Sequence, residues 1–153
     1  MLFFDSICND TSDGGVSFRS GNGNAFVKAY ATSGMVANTP YAVQWSAGQV
    51  NATALAASIW GMVGVPERVV ASGDTGWVQV RGKVEDVQAS AAESTGEVGH
   101  MVQWHAGTVA ASTSTYLGNP NLGDVGVLVQ AATASTTLSI WLSGTWATPV
   151  AAG

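Results

Sequence analysis

Charged residues are scarce in this sequence, and they are unevenly distributed. Only 10% of the 153 residues are charged, and none of the five lysines and arginines lies beyond Lys83. Phosphate binding requires clustered cations, so this composition argues against nucleic acid as a partner. A surface so poor in charge does little to keep a free monomer soluble. We therefore expect part of it to be buried against a partner or against other copies of the chain.

Cysteine and histidine, the usual residues of redox and metal sites, are nearly absent. The single Cys8 cannot form an internal disulfide, which is compatible with assembly in a reducing cytoplasm. His100 and His105 would point to opposite faces of one strand, so they make a poor metal pair. The adjacent Glu85 and Asp86 would also point apart, and no Gly-x-Ser-x-Gly nucleophile motif occurs. We expect no enzymatic activity, no catalytic residues, no metal and no cofactor.

Long hydrophobic runs are missing as well. The longest weakly polar run, roughly residues 52–65, is too short to cross a bilayer. The first residues are apolar, but they lack a basic region and are interrupted by Asp5. We expect neither a membrane-spanning segment nor an export signal, and no membrane partner.

The sequence is rich in short stretches of Val, Thr, Trp and Tyr separated by Gly-containing breaks, a spacing typical of β-sandwiches and β-barrels. Residues 77–84 show the alternation of a strand most clearly, because Val78, Val80 and Val84 would share one face. Residues 51–60 are the one helix candidate, since alanine is frequent there. We predict an all-β fold in which that segment contains a helical turn.

The chain also aligns with itself. The octapeptide Val-Gln-Trp-x-Ala-Gly-x-Val occurs twice, and two further blocks recur downstream in the same order, which indicates a duplicated module. Each module would contain a strand, a glycine turn, a variable loop, a Val-Gly-Val strand, a short polar turn and a tryptophan strand. The matched blocks are residues 43–50 with 102–109, 63–65 with 125–127, and 76–78 with 140–142.

These observations predict a β-sandwich or small β-barrel built from two tandem related strand modules, with an extended N-terminal arm. The arm would comprise residues 1–24, which are dense in turn-forming Asn, Asp, Ser and Gly. The β body would comprise residues 25–153, with module one at about 25–84 and module two at about 85–153.

Six tryptophans and the apolar start of the arm supply the candidate contacts. Trp45 and Trp104, and likewise Trp77 and Trp141, stand at matched positions, as core or interface anchors of a duplicated module would. A platform for sugars is the alternative interpretation. The apolar arm residues are poorly suited to lie free in water. The predicted contacts with a partner or a sister subunit are Leu2, Phe3, Phe4, Ile7, Trp60 and Trp146.

Residues 63–84 resemble a signature of small virion proteins of tailed bacteriophages: Val-Gly-Val, a short turn, then Gly-Trp-Val-Gln-x-x-Gly-x-Val. The segment 140–146, Ile-Trp-Leu-Ser-Gly-Thr-Trp, is similar to that group too. The resemblance implies a capsid decoration, or cement, protein that binds the outer surface of a phage head and stabilises contacts between major capsid proteins.

The implied location is the capsid surface of the virion, with assembly in the host cytoplasm. The partners would be the major capsid protein and sister copies, in a dimer or trimer that matches the lattice symmetry. Two alternatives stay open: a structural component of a phage tail or fibre, and a carbohydrate-binding module that uses exposed tryptophans.

Overall fold

The computed structural model describes residues 18–56, 59–90, 95–105, 108–115 and 123–147, and within these ranges it contains eleven β-strands and no helix. The all-β prediction is confirmed. The predicted contacts Leu2, Phe3, Phe4 and Ile7 lie outside the described residues. The strands are β1 (Phe18–Gly21), β2 (Asn24–Ala31), β3 (Tyr41–Ser46), β4 (Gln49–Ala54), β5 (Gly61–Pro66), β6 (Thr75–Gln88), β7 (His100–His105), β8 (Thr108–Thr115), β9 (Asp124–Leu128), β10 (Thr137–Ser143) and β11 (Trp146–Ala147).

Five strands of the first half close into a barrel. β2 pairs antiparallel with the first part of β6, and the order continues through β5, β3 and β4. β4 then returns to β2 in parallel, at Tyr30↔Asn51 and Ala31↔Ala52. A closed circuit leaves no open strand edge within it. Of the two predicted architectures, the small barrel is the one observed, with β1 added as a hairpin partner of β2.

The second half repeats this circuit around the other end of β6. Residues 81–88 of β6 pair with β10, followed by β9, β7 and β8. One parallel bridge, Ala89↔Val109, joins β8 back to the chain immediately after β6. The order β6-β10-β9-β7-β8 thus matches β2-β6-β5-β3-β4 strand for strand. β6 is long because its first part completes one circuit and its last part begins the next.

The repeated sequence blocks fall on equivalent strands of the two circuits, as the tandem-module prediction requires. The octapeptide lies on the β3–β4 hairpin in the first copy and on the β7–β8 pair in the second. The Val-Gly-Val blocks lie on β5 and β9, and the tryptophan blocks on β6 and β10.

The first octapeptide is a hairpin, and this corrects two predictions. Ala47 and Gly48 have φ angles of 53° and 77°, and two consecutive positive φ values are characteristic of a tight hairpin turn. β4 follows directly, so the variable loop predicted after the turn and the helical turn predicted over residues 51–60 are both wrong for the described residues 51–54. Alanine's helix preference amounts to only tenths of a kcal/mol, whereas pairing with β3 along its whole length gives β4 a ladder of backbone hydrogen bonds.

Two apolar cores fill the molecule, and the second core also joins the modules. The first lies inside the first barrel and contains Val27, Ala29, Ala31, Met35, Tyr41, Val43, Ala52, Val78 and Val80. The second is built mainly from β7 to β10 and includes Trp104, Leu128, Leu138, Ile140 and Leu142. Val63 and Val65 of β5 belong to this second core, while Gly64 between them faces the first, against Val43 and Val78. Strand alternation therefore lets β5 serve both cores.

Candidate interaction surface

Two tryptophans that are distant in sequence lie side by side on the surface. Trp60 immediately precedes β5, and Trp146 begins β11, which pairs with β5 at Trp146↔Met62 and Ala147↔Gly61. The centroids of the two indole rings are 5.2 Å apart and the ring planes are inclined by 42°. Trp60 is 59% exposed and Trp146 is 52% exposed. Both residues were predicted as contacts, and the pairing of β11 with β5 brings them together.

Trp45 belongs to the same end of the first barrel. β3 pairs with β5 as far as Val43↔Met62; Trp45 follows Val43 by two residues, and Trp60 precedes Met62 by two. The side chain of Gln44 donates a hydrogen bond to the backbone carbonyl of Trp60, which fixes the two strand ends to each other. Trp45 is 52% exposed. We call Trp45, Trp60 and Trp146 the tryptophan surface.

The strand ends that carry the tryptophan surface contain no charged residue in segments 44–50, 59–66 and 144–147. A buried aromatic side chain removes about 150–250 Å² from water, and apolar area contributes about 25 cal/mol per Å² when buried. A partner that covered three exposed indoles at one end of a barrel would therefore gain several kcal/mol of binding free energy from apolar burial. Clustered, uncharged aromatics of this kind are typical of the centre of a protein interface.

Sequence reasoning grouped Trp45 with its match Trp104, and did not predict that Trp45 would join the surface. Trp104 is fully buried in the second core, whereas Trp45 is exposed. The octapeptide gave no signal that separates the two, because Trp104 stands at the same distance before the Ala-Gly pair of its own copy.

The remaining tryptophans divide between a groove and the contact with β1–β2. Trp77 is half-buried in a groove on the outside of the first barrel. Trp141 is 40% exposed, and its ring lies over the β1–β2 turn, where a Cβ on Gly23 would be 3.4 Å from the indole.

Charge contributes little to the tryptophan surface. The one salt bridge among the described residues joins Lys83 Nζ to Glu85 Oε1 at 2.6 Å, on the last part of β6. The hydrogen bond from Lys83, together with its positive charge, lowers the pKa of Glu85 below its ordinary value. Both side chains are exposed, so the pair adds little to stability.

The described residues contain no group of three or more His, Cys, Asp or Glu side chains placed to hold a metal ion. His100 Nδ1 accepts a hydrogen bond from the backbone N–H of Glu97 at 3.2 Å. Both histidines lie on β7, as their predicted strand requires. In the part of the chain that the structure covers, no helix is long and apolar enough to cross a membrane.

No protein-family model matches the chain, and no curated protein matches it either. A solved structure does: the N base of the head fibre gp8.5 of bacteriophage phi29, with a TM-score of 0.53 and 18% sequence identity. The match covers 78% of this chain and 94% of that chain. The chain therefore shares the fold of a phage head-fibre base.

Proposed function

We propose that this protein is a structural component of a phage virion, carried on the outer surface of the head. The observation that carries the proposal is the shared fold with the head-fibre base of phi29, which extends over 94% of that chain. The sequence resemblance of residues 63–84 to small virion proteins supports the same role from an independent feature. A chain of low charge and without an evident catalytic set suits assembly, and we propose no enzymatic activity.

The tryptophan surface is the proposed attachment site for the major capsid protein. Its indoles are exposed, those of Trp60 and Trp146 are adjacent, and the strand ends that carry them contain no charged residue, so a partner that covers them gains apolar burial. Many copies on one shell would act together, and attachment across neighbouring capsid proteins would raise the heat or force needed to open the head. This is the role of a decoration or cement protein.

Self-association is the second proposed contact. Capsid lattices present local two-fold and three-fold positions, and a dimer or trimer of this chain would match them. Sedimentation velocity of the purified protein tests this: a monomer at all concentrations up to the millimolar range would contradict it.

Binding to empty heads tests the proposed function directly. Purified protein carrying Trp60→Ala or Trp146→Ala is mixed with heads that lack it, and bound copies are counted after sedimentation. We expect the head affinity to fall at least tenfold, because truncating a central interface tryptophan typically costs about 2 kcal/mol or more.

Trp141→Ala is the matched control, since it removes an exposed indole from another part of the surface; it should leave head affinity unchanged. An equal loss of head affinity in all three variants would contradict the assignment of the tryptophan surface as the attachment site. Labelling of the intact virion with antibody locates the protein, and label found only on the tail would replace the head role with the tail or fibre alternative.

A carbohydrate-binding module is a second candidate, because exposed tryptophans on one surface are what such a module requires. The 42° inclination of Trp60 and Trp146 gives no single flat platform, which favours a protein partner. Loss of glycan binding in Trp60→Ala, with head binding intact, would favour the module instead.

A further inference from the structure

A second candidate site lies at the other end of β5 from the tryptophan surface. Trp60 precedes the first residue of this six-residue strand, and Glu67 follows its last residue, Pro66. A strand of that length spans about 20 Å at about 3.3 Å per residue. The two sites can therefore be altered independently.

This site is an open groove of about 580 Å³ on the outside of the first barrel. Binding pockets for small ligands typically measure about 300–1,000 Å³. Phe26 of β2 and Trp77 of β6 contribute to its lining from two strands that pair with each other. Both side chains are half-buried, so their rings are supported from behind and partly open to solvent.

The opposite wall is the segment between β5 and β6, and it is held in place by backbone hydrogen bonds. Met35 and Val70 exchange two of them, at 2.8 and 2.9 Å. The N–H of Ala31 donates to the carbonyl of Asp74 at 2.8 Å, which ties the end of the segment to β2. The wall is thus preformed, and a ligand would meet little ordering cost.

Four polar side chains line the groove with the two aromatic rings: Glu67, Arg68, Asp74 and Thr75. Within the described ranges, none of these side chains makes a hydrogen bond or an ion pair. They offer two carboxylates, a guanidinium and a hydroxyl to a ligand. An aromatic surface beside unengaged donors and acceptors suits a molecule with apolar C–H faces and a rim of hydroxyl groups.

We propose that this groove binds an oligosaccharide without acidic groups. The C–H faces of a sugar ring would pack on the electron-rich face of Trp77, and its hydroxyl groups would bond to Arg68 and the carboxylates. The lining carries two carboxylates and one guanidinium, and Lys28 lies opposite Trp77 on β2, so the groove has no excess of positive charge that would favour a phosphate or a uronic acid. The proposal extends beyond the structural role in the virion and does not depend on it.

Isothermal titration of the full chain with cellotriose, maltotriose and tri-N-acetylchitotriose tests the proposal, with trigalacturonic acid as the acidic counterpart. We expect saturable binding of at least one neutral trisaccharide and none of the acidic one. Arg68→Ala and Asp74→Asn should each weaken that binding at least tenfold. Both residues are exposed, and their side chains support no described contact, so the variants should unfold at the same temperature as the parent chain.

Arg81→Ala serves as the control, because it removes an exposed cation from β6 outside the groove lining; binding should persist. Trp60→Ala should also leave it unchanged. Absence of binding for all three neutral sugars would overturn the proposal. So would binding that survives Arg68→Ala and Asp74→Asn, or binding that is lost in Trp60→Ala, which would move the sugar site to the tryptophan surface.

Discussion

The two copies of one octapeptide place their tryptophans in opposite surroundings. Trp45 is 52% exposed and belongs to the tryptophan surface, whereas Trp104 is 0% exposed and belongs to the second core. Each indole has a valine directly opposite on the hairpin, Val50 for Trp45 and Val109 for Trp104. Val109 is fully buried, while Val50 is only partly buried.

The difference in exposure follows from the position at which each circuit closes. The bridge that closes the second circuit is made by Val109 itself, so Trp104 lies level with the closure. The backbone N–H of Trp104 also donates to the carbonyl of Gly123 at 2.9 Å, which extends the pairing of β7 with the chain before β9. The first circuit closes at Asn51 and Ala52, beyond the Val50 pair, so Trp45 lies at the rim. The motif specifies a hairpin, and the closure decides burial.

Alanine substitution of the two tryptophans should give the largest difference in stability between the two octapeptide copies. Trp104→Ala should lower the free energy of unfolding by about 3–5 kcal/mol, because it leaves a cavity in the second core. Trp45→Ala should change it by no more than about 0.5 kcal/mol, as for an exposed position. Urea denaturation measures both. Trp104→Phe is the control that retains most of the side-chain volume. Comparable losses of unfolding free energy in Trp104→Ala and Trp45→Ala would contradict the assignment of one tryptophan to the core and the other to the surface.

The glycines of the Val-Gly-Val blocks should give the next largest difference. A Cβ on Gly126 would lie 2.2 Å from the carbonyl oxygen of Trp141, which is backbone and cannot rotate away. A Cβ on Gly64 would meet the methyl groups of Val78 at 2.5 Å and Val43 at 2.8 Å, which have some freedom to adjust. Gly64→Ala should cost about 1–3 kcal/mol, as typical overpacking does, and Gly126→Ala should cost more.

Thermal unfolding of these two glycine variants checks this order, with Gly21→Ala, at the exposed last residue of β1, as the reference. A larger loss in Gly64→Ala would mean that the side chains around the first core yield less than the backbone of β10.

The smallest effect concerns the salt bridge on the last part of β6, where the second circuit begins. Lys83 lowers the pKa of Glu85 in the folded chain, so the pair stabilises the fold above the ordinary glutamate pKa, and this contribution disappears as the pH falls through the lowered value. Glu85→Gln should therefore slightly reduce the loss of stability on acidification. Unfolding temperatures at neutral and acid pH measure this reduction. Glu97 has no ion pair among the described residues, so Glu97→Gln should not show it.

The sequence predicted the parts of the fold that depend on local alternation. Residues 77–84 alternate as the strand β6 does, and the duplicated blocks fall on equivalent strands. β4 was missed, because its alanines resemble a helix until the hairpin partner is known. Trp60 and Trp146 were predicted as contacts, but no local pattern indicates that they are neighbours. The groove around Trp77 also escaped prediction, since its walls come from separate segments.

The sequence by itself determined the all-β class, the tandem modules and the absence of clustered cations, because alternation, repetition and composition are properties of the chain before it folds. Only the tertiary structure decided that the modules form circuits sharing β6, and that one octapeptide tryptophan is buried while the other is exposed. Those outcomes depend on which distant strands pair and where each circuit closes. Backbone hydrogen bonds between strands follow no residue code, so two copies of one motif can end in a core or on a surface.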